Sequence, residues 1–354
     1  MKFGGNMRKS CTTLVALVLI IGARVYAEAN APLKLLHTTP LPGFKGDLDH
    51  SAVDLKGNRL FVTAEVHQTV EVFNLRSGER IHSITGFEGA PHEILFRPDS
   101  NTLIVADGGS YDPSTRKAGP GSCKLFDGKT YRIIDTIALP PGVDSAEYNP
   151  VTKEFYVESR GPDPAADTHM ISIIDSVNFK HTGDFILPGR RSEAMAIDRA
   201  GKMMYVNLTD EVGIVDLPTR KLKDRWPVPD AHVQNAMALD EPNHRLFIAT
   251  RNPPKLFVYN TDTGKVVTNL PCVGVNDDMT FDTKRKRIYI TGDGLTSVFA
   301  QRDADHYEHI VDVPTGYRAK TSLYVPELNR LYINVSGGDK ADAQVALQIY
   351  QVQP

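Results

Sequence analysis

A core of three strand-forming residues recurs seven times along this 354-residue chain. That recurrence limits the fold more than any other feature. The copies are LFV at 60–62, LIV at 103–105, FYV at 155–157, MYV at 204–206, LFI at 246–248, IYI at 288–290 and LYI at 331–333. Their middle residues, Phe61, Ile104, Tyr156, Tyr205, Phe247, Tyr289 and Tyr332, lie 43, 52, 49, 42, 42 and 43 residues apart. The stretch 235–271 shows what each copy contains. Four apolar and β-branched runs, AMAL, RLFIAT, KLFVYN and KVVTNL, are separated by turn chemistry such as DEPNH and TDTG. Four short strands in about 40 residues make one blade of a β-propeller, and seven copies predict seven blades.

The two longer intervals hold Gly/Pro/Asp-rich insertions, GGSYDPSTRKAGPG at 108–121 and SRGPDPAAD at 159–167. Each falls between the second and third strands of its blade. At the chain ends, LKLLHTTPLPG at 33–43 reads as a lone strand, and the last repeat runs out after three strands. An unpaired outer edge invites aggregation. The N-terminal strand is therefore expected to complete the last blade, giving an all-β, seven-bladed propeller of four-stranded blades. No stretch reads as a helix of useful length, and 28–354 reads as one domain.

Residues 1–27 carry the pattern of a secretory signal: basic Lys2, Arg8 and Lys9, the apolar run LVALVLIIG at 14–22, then small residues at Val25 and Ala27. The apolar run is too short for a typical membrane span. A periplasmic or secreted protein is expected, with no membrane span after cleavage. The segment holds four basic and no acidic residues, so its removal takes the formal net charge from −3 to −7. A mildly acidic body argues against nucleic acid as a partner. The remaining cysteines, Cys123 and Cys272, fall in well-separated blades and are expected to stay unpaired. No nucleophile elbow, phosphate loop, dinucleotide fingerprint or zinc-type cysteine spacing is present.

The second-strand cores FVTA, IVAD, YVES, YVNL, FIAT, YITG and YINV resemble the YVTN repeats of YncE-like bacterial β-propellers, over roughly residue 35 to the C-terminus. The resemblance implies the architecture. It carries no catalytic residue across, because members of that family differ widely in role.

Counting twelve back from each aligned core residue gives Asp49, His92, Asp144, Glu193, Asn235, Asp277 and Lys320, all polar. The next position adds His50, Glu93 and Asp278. First strands line the central channel of a propeller, so these residues are expected to ring one channel mouth, bordered by the two insertions. Asp49, His50, His92, Glu93, Asp144 and Lys320 are the candidate ligand-binding residues. Carboxylates and amide oxygens in one funnel suit a hard divalent cation such as calcium, and the histidines extend the choice to transition metals. Glu193, Asn235 and Asp277 resemble the metal-ligating Glu/Asn/Asp set of gluconolactonase-like propellers. That resemblance implies a metal-dependent lactone or ester hydrolase, although those enzymes usually have six blades. Three readings stand open: a monomeric binding or scaffold protein that takes a small polar ligand, a metal or a protein at the loop-rich face; the hydrolase; and an interaction module whose polar funnel holds only water. No residue is assigned a catalytic role.

Overall fold

In the computed structural model the described residues are Met1 and 31–354, apart from 113, 115, 116, 164, 190–192 and 341. Apart from Met1, the segment expected to direct export lies outside them. Seven four-stranded antiparallel sheets account for almost all regular structure. In blade 1 the strands are Leu48–Asp54, Arg59–Ala64, Thr69–Asn74 and Arg80–Ile84, paired in chain order. Blades 2 to 6 repeat this order. A two-stranded ribbon, Tyr111–Asp112 with Lys117–Ala118, sits in the first insertion. Among the described residues the one helical element is a short 3-10 turn, Glu241–Asn243. None is long and apolar enough to cross a membrane as a helix.

Blade 7 is built from both ends of the chain. Thr321–Val325, Arg330–Val335 and Ala346–Val352 supply three strands, and Leu33–Pro40 pairs antiparallel with Ala346–Val352 as the fourth. Around this closure Gly337 donates to the Gly46 carbonyl at 2.7 Å, and Leu48 donates to the Ser336 hydroxyl at 3.0 Å.

Local sequence sets the turns. The third strand of several blades ends in Asn or Asp, whose side chain accepts from backbone N–H groups two and three residues on. Asn74, Asp127, Asp175 and Asn260 all do this at 2.6–3.2 Å.

The hydrophobic core is divided among the seams. Seven apolar clusters form, each drawing on two neighbouring blades. Strand alternation explains the division, since successive side chains point to opposite sheet faces. Phe61 packs against blade 2, while its neighbours Leu60 and Val62 pack against blade 7. Six of the seven aligned core residues are essentially buried; Tyr205 is the half-buried exception, tilted against Trp226 at 5.7 Å between ring centroids. Phe247 is fully buried, with its ring 5.1 Å from that of Phe281 and 5.6 Å from that of Tyr307. Phe247→Ala empties the seam between blades 5 and 6, where a rigid sheet pair collapses poorly. Chemical denaturation should show a loss of about 3–5 kcal/mol.

Candidate functional site

Inner strands run from the loop-rich face into the channel, and three of them are irregular. Register shifts fall between Leu48 and Ser51, between Pro91 and Ile94, and between Gln234 and Ala236. A bulge lets two consecutive residues share a face. Hence Asp49 with His50, and His92 with Glu93, all reach the channel.

Two cavities occupy it. The mouth, about 250 Å³, is lined by Asp49, His50, His92, Asp144, Glu193, Asp277 and Lys320, with Ser145 and four residues not foreseen from the sequence, Asp47, Glu65, Arg251 and Arg318. Asp47 and Arg318 stand two residues before Asp49 and Lys320; Glu65 and Arg251 stand four after the aligned residues Phe61 and Phe247. Extending the same alignment by two in one direction, and past the second strand in the other, would have found all four. Deeper along the inner strands lies a second chamber of about 300 Å³, lined by Glu93, Asn235, Asp278 and the unforeseen Glu147, and shared with the mouth at His50, Glu193 and Asp277. The two insertions border the mouth. A side pocket of about 300 Å³ brings Gly108, Gly109 and Ser110 from the first and Arg160 from the second beside His92 and Asp144.

Lys320 is the electrostatic hub. Its Nζ lies 2.7 Å from Asp277, 3.2 Å from Asp49 and 3.5 Å from Glu65. Burial opposes its charge, but Asp49, Asp277 and Glu65 more than offset this and hold its pKa well above the ordinary value. Asp277 is further held by Arg251 at 2.6 Å and by the Asn235 amide at 3.1 Å. Arg318 grips Asp47 through two guanidinium nitrogens at 2.8 Å. His92 Nδ1 hydrogen-bonds Asp49 at 2.9 Å, with Asp144 at 3.4 Å. Burial would discharge this ring, yet Asp144 and Asp49 push its pKa up to about 10. His50 lies between Asp278 at 3.4 Å and Glu93 at 3.7 Å and is likewise held well above its ordinary pKa, the carboxylates outweighing burial. Asp49 moves the other way: burial opposes ionisation, but Lys320, His50 and His92 keep it ionised well below the usual range.

Glu65, Glu93 and Glu147 are pushed up by burial, to about 7, 7 and 8. The structure brings Asp49, Glu65 and His92 close enough for one ligand atom from each to lie within 4.8 Å of the others, the one such trio among the described residues. The Lys320 ammonium sits against two of its three members.

These shifts fix how stability should follow pH. Raised histidine pKa values support the fold fully below the ordinary value, and that support is lost as pH climbs towards 10 for His92. Raised carboxyl pKa values also favour the fold at low pH and cost stability up to about pH 7–8. The lowered Asp49 acts oppositely, losing its contribution in strong acid. Thermal melts should therefore give the highest Tm in mild acid, with a steady decline into alkali. Glu147→Gln, which imitates the protonated acid, should flatten that decline between about pH 6 and pH 8; an unchanged slope would exclude Glu147 as a contributor.

No protein-family model matches the sequence, and no curated protein matches it. Solved structures match in fold. A chain in the crystal structure of the mitotic checkpoint complex aligns at a TM-score of 0.72 and 16% identity, covering 100% of this chain and 98% of that one. Kuenenia stuttgartiensis hydrazine synthase aligns at 0.69 and 15% identity, covering 88% of this chain and 99% of that one. At such identities the likeness is one of fold. What the geometry and these likenesses establish together is the architecture, a seven-bladed β-propeller.

Proposed function

We propose that this propeller is an exported binding protein of the YncE-like type, and that its channel mouth holds a small polar ligand. The observation that carries the reading is the composition of the mouth: every residue around its 250 Å³ is charged or polar, with acids and bases interleaved. A rigid ring of seven sheets holds these groups in place, so little ordering is needed on binding. A ligand offering both donors and acceptors answers such a surface better than an apolar one. The strand cores support the family, and the apolar run at 14–22 behind a basic start supports export. One fold neighbour lies in a protein complex, which supports protein binding at the loop face as a further use of the same scaffold.

The hydrolase reading receives less support. Asp277 already holds Lys320 and Arg251, and a metal on Glu193, Asn235 and Asp277 would have to displace both cations. Calcium at the mouth meets the same obstacle, because Lys320 supplies a tethered cation. Thermal-shift titration with sugar acids, amino acids and calcium separates these readings. One polar class should raise the Tm, equivalent to about 2.7 kcal/mol at a hundredfold excess over Kd. Arg251→Ala and Arg318→Ala should weaken that response, and calcium should give none. A response to calcium alone would replace this reading with a metal site.

A further inference from the structure

The two halves of the channel differ in how their acids are balanced. At the mouth, carboxylates face Lys320, Arg251, Arg318 and His92, with His50 shared between mouth and chamber. The deep chamber has no lysine or arginine among its described lining residues. Asp277 is engaged by Lys320 and Arg251, and Glu193 has its own partner. Glu93, Glu147 and Asp278 remain, with His50 as the one cation; once all three acids are ionised they exceed it by two negative charges, a state reached above about pH 8 because burial pushes Glu93 and Glu147 up to about 7 and 8. A second observation points to a missing donor. Asn235 lines the chamber and is 1% exposed; its Nδ2 donates to Asp277, and its Oδ1 has no hydrogen-bond partner. A buried acceptor left unpaired is costly.

We propose that the deep chamber binds an aliphatic diammonium ion. One ammonium lies near Glu93 and Glu147; the other donates to Asn235 Oδ1 near Asp278. The first pair stands on neighbouring blades 2 and 3, the second on neighbouring blades 5 and 6, across the axis. His50 stands between Glu93 and Asp278, and the lining also holds apolar Ile94, Met195, Met237 and Met279, which can cover methylene groups. A metal ion fits less well. Among the described residues no three His, Cys, Asp or Glu ligand atoms converge in this chamber, and the one trio that does converge lies at the mouth. The acids remain within reach of solvent, with the Glu93 and Asp278 side chains 20% and 24% exposed. Burial with too little countercharge is also what raises the pKa of Glu93 and Glu147.

The test is calorimetric titration of the whole protein, at a pH of about 8.5 where Glu93 and Glu147 are ionised, with the four-carbon diamine putrescine, butylamine, butanediol and calcium chloride. Putrescine should bind, butylamine should bind at least about tenfold more weakly, and butanediol should not bind, because each charged contact is worth about one decade or more. Glu147→Gln and Asn235→Leu should each weaken putrescine by about tenfold, while Arg318→Ala at the mouth leaves it unchanged. No heat from putrescine at millimolar concentration overturns the proposal. So does tighter binding of calcium, or equal binding of the diol. Loss of putrescine binding in Arg318→Ala would move the ligand to the mouth and likewise overturn it. If the chamber variants fail to fold, the ligand series on the unaltered protein decides.

Discussion

Replacing Lys320 with methionine should destabilise the propeller by about 3–5 kcal/mol, the scale seen when one partner of a buried ion pair is removed. Methionine keeps an apolar stem and deletes the charge. Lys320 is 8% exposed and Asp49 2%, so water entering the mouth replaces the lost ammonium only in part. Asp49 and Asp277, at 3.2 and 2.7 Å, would lose their shared counter-ion, and Glu65 would be drawn further towards its neutral form. Urea titration monitored by the fluorescence of Trp226 measures the loss. The same variant carries a second expectation. Asp49, Glu65 and His92 already stand in reach of a common point, so removing the tethered cation should open that point to calcium or zinc. Divalent ions should raise the Tm of Lys320→Met and leave the parent protein unchanged. A variant as stable as the parent would mean that the hub contributes little, and the electrostatic account of the mouth would be wrong.

Deleting 31–40 should abolish the monodisperse fold. The strand Leu33–Pro40 makes seven residue pairings with Ala346–Val352, from Leu33 opposite Val352 to Pro40 opposite Ala346, with one register shift between Leu35 and His37. At about 0.5–1.5 kcal/mol for each ladder hydrogen bond, the loss approaches the 5–15 kcal/mol that holds a typical domain together. It also leaves Ala346–Val352 as a bare edge, an invitation to intermolecular pairing. Leu33 belongs to the apolar seam between blades 6 and 7, so that cluster loses a member as well. Size-exclusion chromatography and circular dichroism should show aggregate or unfolded chain. A cooperative, monomeric melt from the shortened protein would mean that the ring closes without its N-terminal strand.

Much of this architecture was legible beforehand because a blade is a local object. Its strands alternate with period two, its turns carry Asn, Asp and Gly at fixed places, and its repeats are contiguous in the chain. Aligning Phe61 with Tyr332 was enough to place Asp49 and Lys320 at equivalent positions, and both line the mouth. The bulges were not legible. Strict alternation would turn His50 and Glu93 away from the axis if Asp49 and His92 face it, and the register shifts bring all four to the channel. Nor did the alignment reveal the partners of each charge. Arg318 meets Asp47 across 271 positions of sequence, and Lys320 meets Asp49 across the same interval, because the ring sets blade 7 against blade 1.

The sequence by itself determined seven repeats, four strands in each, the turns between them and the need for the first strand to complete the last blade. These follow from side-chain period and turn stereochemistry, which act over a few residues. Only the tertiary structure decided which acids are neutralised by lysine or arginine, which are left to a lone histidine, and that the channel divides into a balanced mouth and an acidic chamber. Those outcomes depend on distances between side chains on different blades, and closure of the ring fixes such distances where no local pattern can encode them.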